Sequence, residues 1–168
     1  MKKTFATILL GLVLAGPLSA GEAIEVNGQR LELKAQARAC YLGFVELYDV
    51  DYFRDTAGPV SCVRLSYLRD IEAATLDEAT RKVFEERHGG EFVNRYRAEL
   101  EQVGKAYRPV GPGDQYLYCV GADGAGSLLR DNAPVVQLAS SDFARRFLQI
   151  WVKADDPADA PQWGFGRC

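Results

Sequence analysis

From Ile24 to Leu33, apolar and polar residues alternate on either side of Asn27-Gly28. That is the pattern of two strands joined by a tight hairpin turn. Arg38 to Tyr41 continues an extended segment. Phe44 to Phe53 is rich in aromatic and β-branched residues and reads as a strand. Val60 to Leu68 alternates cleanly, with Val63, Leu65 and Tyr67 on one face and Cys62, Arg64 and Ser66 on the other. Arg54 to Pro59 is a turn, so these last two runs form an antiparallel hairpin.

The period then changes. Thr75-Leu76-Asp77-Glu78 has the form of a capping box, and Leu76, Ala79, Val83 and Phe84 follow at helical spacing. His88-Gly89-Gly90 ends that helix. Phe92, Tyr96, Leu100 and Val103 mark a second helix over Glu91 to Val103. Pro109 to Asp114 is a loop. Gln115–Val120 and Ser127–Arg130 flank the turn GADGAG as another hairpin, and Val135–Leu138 is a short strand. Ser140 or Ser141 caps a last helix carrying Phe143, Phe147, Ile150 and Trp151 on one face. Asp155 to Pro161 is a surface loop, and Gln162 to Cys168 is a tail. Strands, helices, strands and a helix in that order predict an α+β fold, an antiparallel β-sheet packed by helices.

The N-terminus stands outside this plan. Lys2 and Lys3 precede an apolar run from Phe5 to Ala15, broken by Pro17 and followed by small residues up to Ala20. This is the layout of a signal peptide, with cleavage after Ala20 or Ala23. The run falls short of the ~20 apolar residues a spanning helix needs. Residues 1–20 are thus expected to be removed and 21–168 to form a single domain with no membrane span. Losing two lysines takes the net charge from −3 to −5. An acidic chain is a poor electrostatic match for nucleic acid. With 48% apolar and 26% charged residues, the chain has the composition of globular rather than disordered material.

Cys40, Cys62, Cys119 and Cys168 all lie in the expected mature chain. An even number behind an export signal predicts two disulfides in an oxidising compartment. With the hairpin turn centred between Thr56 and Ala57, Cys62 faces Asp51. A strand running straight back from there puts Cys40 about 35 Å away, far beyond the ~7 Å a disulfide tolerates between Cα atoms. Cys62 is therefore expected to pair with Cys119, leaving Cys40 for Cys168, or with Cys168, leaving Cys40 for Cys119.

Several segments, taken in order, resemble the chalcone isomerase-like family in its bacterial secreted branch. They are the Val26-Asn27-Gly28 hairpin, Arg38, the strand from Glu46-Leu47-Tyr48 through Phe53, and Leu68-Arg69-Asp70. Gly113-Asp114 and Ile150-Trp151-Val152-Lys153 through Pro157 complete the set. Departures from the branch pattern are Glu46 in place of Lys, Phe53 in place of a second Tyr, Lys153 in place of Gly, and Ala35-Gln36-Ala37 in place of G-A-G. The resemblance implies the chalcone isomerase-like fold. It also implies that Tyr48 stands where the plant enzymes carry a catalytic Thr, and Arg38 where they carry the Arg that holds the substrate oxyanion. The later catalytic Tyr and Asn of those enzymes have no counterpart here.

Candidate site residues follow from both readings. A guanidinium at Arg38 would meet a carboxylate or an enolate. Tyr48 and Tyr67 would offer hydroxyls, and Phe147 and Trp151 an apolar wall. His88 is the only histidine, with no second ligand beside it, so no metal is expected. The GADGAG turn joins two strands and opens no helix, so no phosphate-binding cofactor is expected either. The favoured function is a non-catalytic binder of an apolar small molecule such as a fatty acid, exported to the periplasm or secreted. The alternatives are an intramolecular lyase or isomerase using Arg38 and Tyr48, and a structural or partner-binding periplasmic protein. Export is checked by intact mass of protein recovered from the cell envelope. The expected species lacks residues 1–20 or 1–23, and a mature form retaining Met1 would contradict it.

Overall fold

A computed structural model describes residues 21–56, 58–153 and 162–168. Seven strands pair side by side in chain order as one antiparallel meander. They are β1 (Ala23–Val26), β2 (Gln29–Tyr41), β3 (Val45–Arg54), β4 (Ser61–Tyr67), β5 (Gln115–Val120), β6 (Gly126–Arg130) and β7 (Ala133–Leu138). Between β4 and β5 run α1 (Ala73–His88), α2 (Gly90–Arg95) and α3 (Arg97–Ala106). After β7 come α4 (Ser141–Leu148) and a two-stranded pair, β8 (Val152–Lys153) with β9 (Gln162–Trp163). This is the expected α+β class. The expected signal segment and the Asp155–Pro161 loop lie outside the described residues.

Local chemistry explains where the elements begin and end. Asn27 and Gly28 take φ of 51° and 77°, the left-handed pair that a two-residue hairpin between β1 and β2 requires. Ser140 caps α4, accepting a hydrogen bond from the Phe143 amide at 3.3 Å. Gly89 ends α1 at φ 93°.

Three local expectations need correction. Thr75 does not cap α1. The helix starts three residues earlier, at Ala73 with Glu72 as its N-cap, because the Ile71–Val110 bridge fixes the chain just before it. The helix expected over Glu91–Val103 is broken at Tyr96, which leaves helical geometry at φ −105° and ψ 28°. Its ring is held by Phe143 of α4, and its hydroxyl donates to the Asp142 carboxylate. Finally, Cys62 stands opposite Phe53 rather than Asp51.

The sheet has two different faces. Residues paired across strands share a face, and the face changes at every step along a strand. On one face lie Tyr52, Val63, Tyr118 and Leu128 in one row, and Val50, Leu65 and Tyr116 in the next. The helices cover this face, and together they form the main core. Phe84, Phe143 and Phe147 are fully excluded from solvent there. Each such side chain contributes about 1.5–3 kcal/mol by burial. The other face carries Gln36, Asp51 and Arg64 in one row and Arg38, Asp49 and Ser66 in the next. A second, smaller core lies on that side: Leu31, Phe53, Val60, Cys62 and Cys119, with Ile24, Val26 and Leu33 against it. It exists because β2 has a register shift between Leu33 and Ala35. Such a bulge bends a strand, and here it lets the β1–β2 hairpin fold back over the sheet. An ion pair from Arg64 to Glu22 and Asp51 ties the hairpin down.

The disulfides follow from this curl. Cys62 and Cys119 are register partners on β4 and β5 and are bonded within the small core. Cys40 is bonded to Cys168, which holds the C-terminal tail against the end of β2. This is the first of the two open pairings. The chain does not run straight from Cys40 to the hairpin. It reverses at Leu42-Gly43 (φ 54° and 78°), and Cys40 stands opposite Glu46, at the end of β3 remote from Phe53 and Cys62. The tail pairs beside β2 through a bridge from Arg167 to Ala39 and a hydrogen bond from the Cys40 amide to the Gly166 carbonyl. Non-reducing peptide mapping should return Cys40–Cys168 and Cys62–Cys119. Replacing Cys62 and Cys119 together with Ala should cost about 3–5 kcal/mol in chemical denaturation. A Cys40–Cys119 peptide would contradict the β4–β5 register.

Candidate ligand-binding site

The helix-covered face contains four tyrosines that come together from distant parts of the chain. Tyr48 on β3 and Tyr67 on β4 are register partners, with ring centroids 5.5 Å apart. Tyr116 on β5 meets Tyr67 edge-on at 6.2 Å, and Tyr107, just after α3, meets Tyr116 at 5.6 Å. Alternation along each strand sends these rings inward. Small residues on β2 leave room beside them, with Ala39 opposite Tyr48 and Ala37 opposite Val50.

Between this cluster and α1 lies a cleft of about 80 Å³. Its lining is mainly apolar: Leu65, Leu76, Val83, Ile150, Trp151 and Phe165. Thr80, Tyr48, Tyr67 and Tyr107 add the polar groups. The Thr80 and Tyr107 hydroxyls are 2.9 Å apart, and the Tyr116 hydroxyl accepts from the Arg108 amide at 3.0 Å. Exposed Ala79 marks the rim beside α1. Phe165 of the stapled tail packs on Tyr48 at 6.2 Å and closes the opposite side.

Burial sets the protonation of these hydroxyls. It pushes Tyr48 up to about 12, although a hydrogen bond with the Trp151 side chain pulls the other way. Tyr48 keeps intermediate exposure as a residue, so it is the hydroxyl end that is enclosed. Tyr67 is raised well above the ordinary range, first by burial and then by the neighbouring Tyr107, Tyr48 and Tyr116. Tyr107 is raised by burial as well. At neutral pH these groups are therefore neutral hydrogen-bonding hydroxyls and not phenolate bases.

The candidates from the sequence separate into two sets. Tyr48, Tyr67 and Trp151 line the cleft together. Phe147 lies behind them as core, packed on Tyr118 at 4.9 Å and Trp151 at 5.3 Å. Arg38 is elsewhere. It is paired with Asp49, on the sheet face away from the helices, and its exposed guanidinium binds Asp49 at 2.6 Å and Glu46 at 3.0 Å. The Asp49 hydrogen bond, then Glu46, raises its pKa. One step along β2 decides this: Ala39, not Arg38, is the partner of Tyr48. The residues that sequence reasoning missed are Thr80, Tyr107, Tyr116 and Phe165. Only Tyr116 left a signal, since Tyr116 and Tyr118 alternate in QYLYCV and must share a face.

The family model for chalcone isomerase-like proteins matches residues 19–161, and the chain belongs to that family. No curated protein matches the sequence. Among solved structures, the chain is similar to a fatty-acid binding protein of Arabidopsis thaliana. The TM-score is 0.59 and the identity 10%, over 80% of this chain and 90% of that one. At that identity the likeness establishes the fold.

The tyrosine cluster gives the protein a defined alkaline limit. Tyr48 ionises at about 10 in the unfolded chain and about 12 in the folded one, so the unfolded state loses its proton first. The stabilisation is complete below pH 10 and is lost between pH 10 and 12. Chemical denaturation across this range should show stability falling with pH, with a shallower slope in Tyr48→Phe. An identical slope in the variant would contradict an enclosed Tyr48 hydroxyl.

Proposed function

We propose that the protein is an exported, non-catalytic binder of an apolar small molecule, a fatty acid being the representative ligand. The observation that carries this is the cleft between α1 and the tyrosine face, with its apolar walls and convergent neutral hydroxyls. Apolar walls with a few placed polar groups are what small-molecule binding requires. The family and its fatty-acid-binding neighbour support the same reading. Export draws its support from the N-terminal pattern and from two disulfides, which persist in oxidising compartments. The bacterial secreted branch of the family is the corresponding finer assignment.

Size is the main constraint on this proposal. Ligand sites commonly span ~300–1,000 Å³, several times the cleft's 80 Å³. A ligand as long as a fatty acid therefore enters only if a wall moves. The walls that can yield are α1 and the Phe165 tail, because the sheet behind the tyrosines is continuous. The same small volume favours a second reading, a closed-core structural or partner-binding protein. The isomerase reading is not favoured. It relied on a guanidinium to hold a phenolate or enolate, and Arg38 lies on the opposite face.

Titrating the oxidised mature protein with dodecanoate, followed by tryptophan fluorescence, separates the two readings. Saturable binding is expected, with affinity at least tenfold weaker in Ala79→Trp, which places an indole across the cleft mouth. Native mass spectrometry of protein purified from the envelope should show a co-purified lipid. No binding by the wild-type protein, or equal binding by Ala79→Trp, would favour the closed core.

A further inference from the structure

A second pocket, of about 290 Å³, lies at the opposite end of the sheet and has no part in the cleft. It is formed where the β3–β4 turn, the β5–β6 turn and the end of α4 meet. Its lining joins Tyr52, Val120, Leu148 and Val152 with Ser61 and Gln149, and the Gly121–Gly124 turn provides one side. Two of the lining residues are arginines, Arg54 from the last position of β3 and Arg145 from α4. Among the described lining residues none is an Asp or Glu. The chain as a whole has 23 acidic and 20 basic residues. Among the described residues, other arginines are ion-paired: Arg38 with Asp49 and Glu46, Arg64 with Asp51 and Glu22, Arg81 with Asp77, Arg130 with Asp114 and Asp131, and Arg146 with Asp142. Arg54 and Arg145 take part in none of these pairs, and the described wall of the site carries two arginines and no carboxylate. Its volume is more than three times that of the cleft.

We propose that this pocket binds a small amphipathic carboxylate. The apolar body rests on Tyr52, Val120, Leu148 and Val152, and the carboxylate faces Arg54 and Arg145. Guanidiniums present a planar fork of donors that matches a carboxylate and remain charged at every accessible pH. Ser61 and Gln149 add neutral polar groups beside them. Ser61 is itself buried, with its hydroxyl 3.4 Å from that of Tyr52. The chemistry predicts selectivity: an uncharged analogue of the same shape keeps the apolar contacts and loses the charge-assisted bonds. The proposal does not depend on the tyrosine cleft, since no residue lines both.

The test uses the oxidised mature protein, 4-phenylbutyrate as probe and 4-phenylbutanol as its uncharged counterpart, followed by calorimetry and by backbone amide shifts. The acid should bind saturably and at least tenfold more tightly than the alcohol. Amide shifts should centre on Ser61, Gly121–Gly124 and Leu148, with Ala79–Val83 of the cleft unmoved. Arg54→Gln combined with Arg145→Gln should weaken the acid at least tenfold, and Arg145→Gln alone by a smaller factor. Arg38→Gln, on the other sheet face, should leave affinity unchanged. An unaltered thermal unfolding midpoint shows that the variants fold. Absence of saturable binding, equal affinity for acid and alcohol, shifts confined to the cleft, or full affinity in the double variant would each overturn the assignment. Loss of dodecanoate binding at the cleft would leave this result untouched, so the two proposals fail separately.

Discussion

A strand offers its two faces in alternation, and this constraint decides which side chains meet under the helices and which lie on the opposite face. The register of β2, β3, β4 and β5 places Tyr48, Tyr67 and Tyr116 on the helix side and Arg38, Asp49 and Ser66 on the other. A slip of one residue would exchange the two sets and bury the ion pairs under the helices. Burying those charges unpaired from water would cost far more than the aromatic contacts return. The register is therefore fixed by the polar face as firmly as by the apolar one.

The curl of the sheet completes the arrangement. The bulge in β2 sends the first hairpin over the polar face, where it encloses the Cys62–Cys119 bridge in a small core of its own. At the other end of β2 the Cys40–Cys168 bridge holds the tail, and the tail carries Phe165 onto Tyr48. One bridge thus joins neighbouring strands, and the other maintains a wall of the cleft. The second bridge reinforces the tail's other anchors among the described residues: β9, the Gly164 amide bonded to the Trp151 carbonyl, the Cys40 amide bonded to the Gly166 carbonyl, the Cys168 amide bonded to the Arg38 carbonyl, and the Arg167 bridge.

Much of the fold is legible in the chain. The Asn27-Gly28 turn, the alternation in Val60–Leu68 and the Ser140 cap are local signals, and each element forms where they place it. Tyr96 shows where local reading ends. Its helical spacing continues from Phe92 to Leu100, and only contacts with Phe143 and Asp142 from α4 explain the break there. The candidate site was legible in half. Tyr67 and Trp151 lie where strand period and helix face put them, Tyr48 was placed by resemblance, and the three come together in the cleft. Arg38 was placed by resemblance, and the register of β2 against β3, interrupted by a bulge between Ala39 and Cys40, decides its face. Tyr107, Thr80 and Phe165 reach the cleft by tertiary packing alone.

Under the proposed function the tyrosine face, and not the arginine face, receives the apolar ligand. Nuclear Overhauser contacts between uniformly labelled dodecanoate and the oxidised protein test it directly. Contacts are expected from the acyl chain to the rings of Tyr48, Tyr67 and Trp151 and to the Val83 methyls. Contacts to Arg38, Gln36 and Ser66 on the opposite face, or none to the interior, would contradict it.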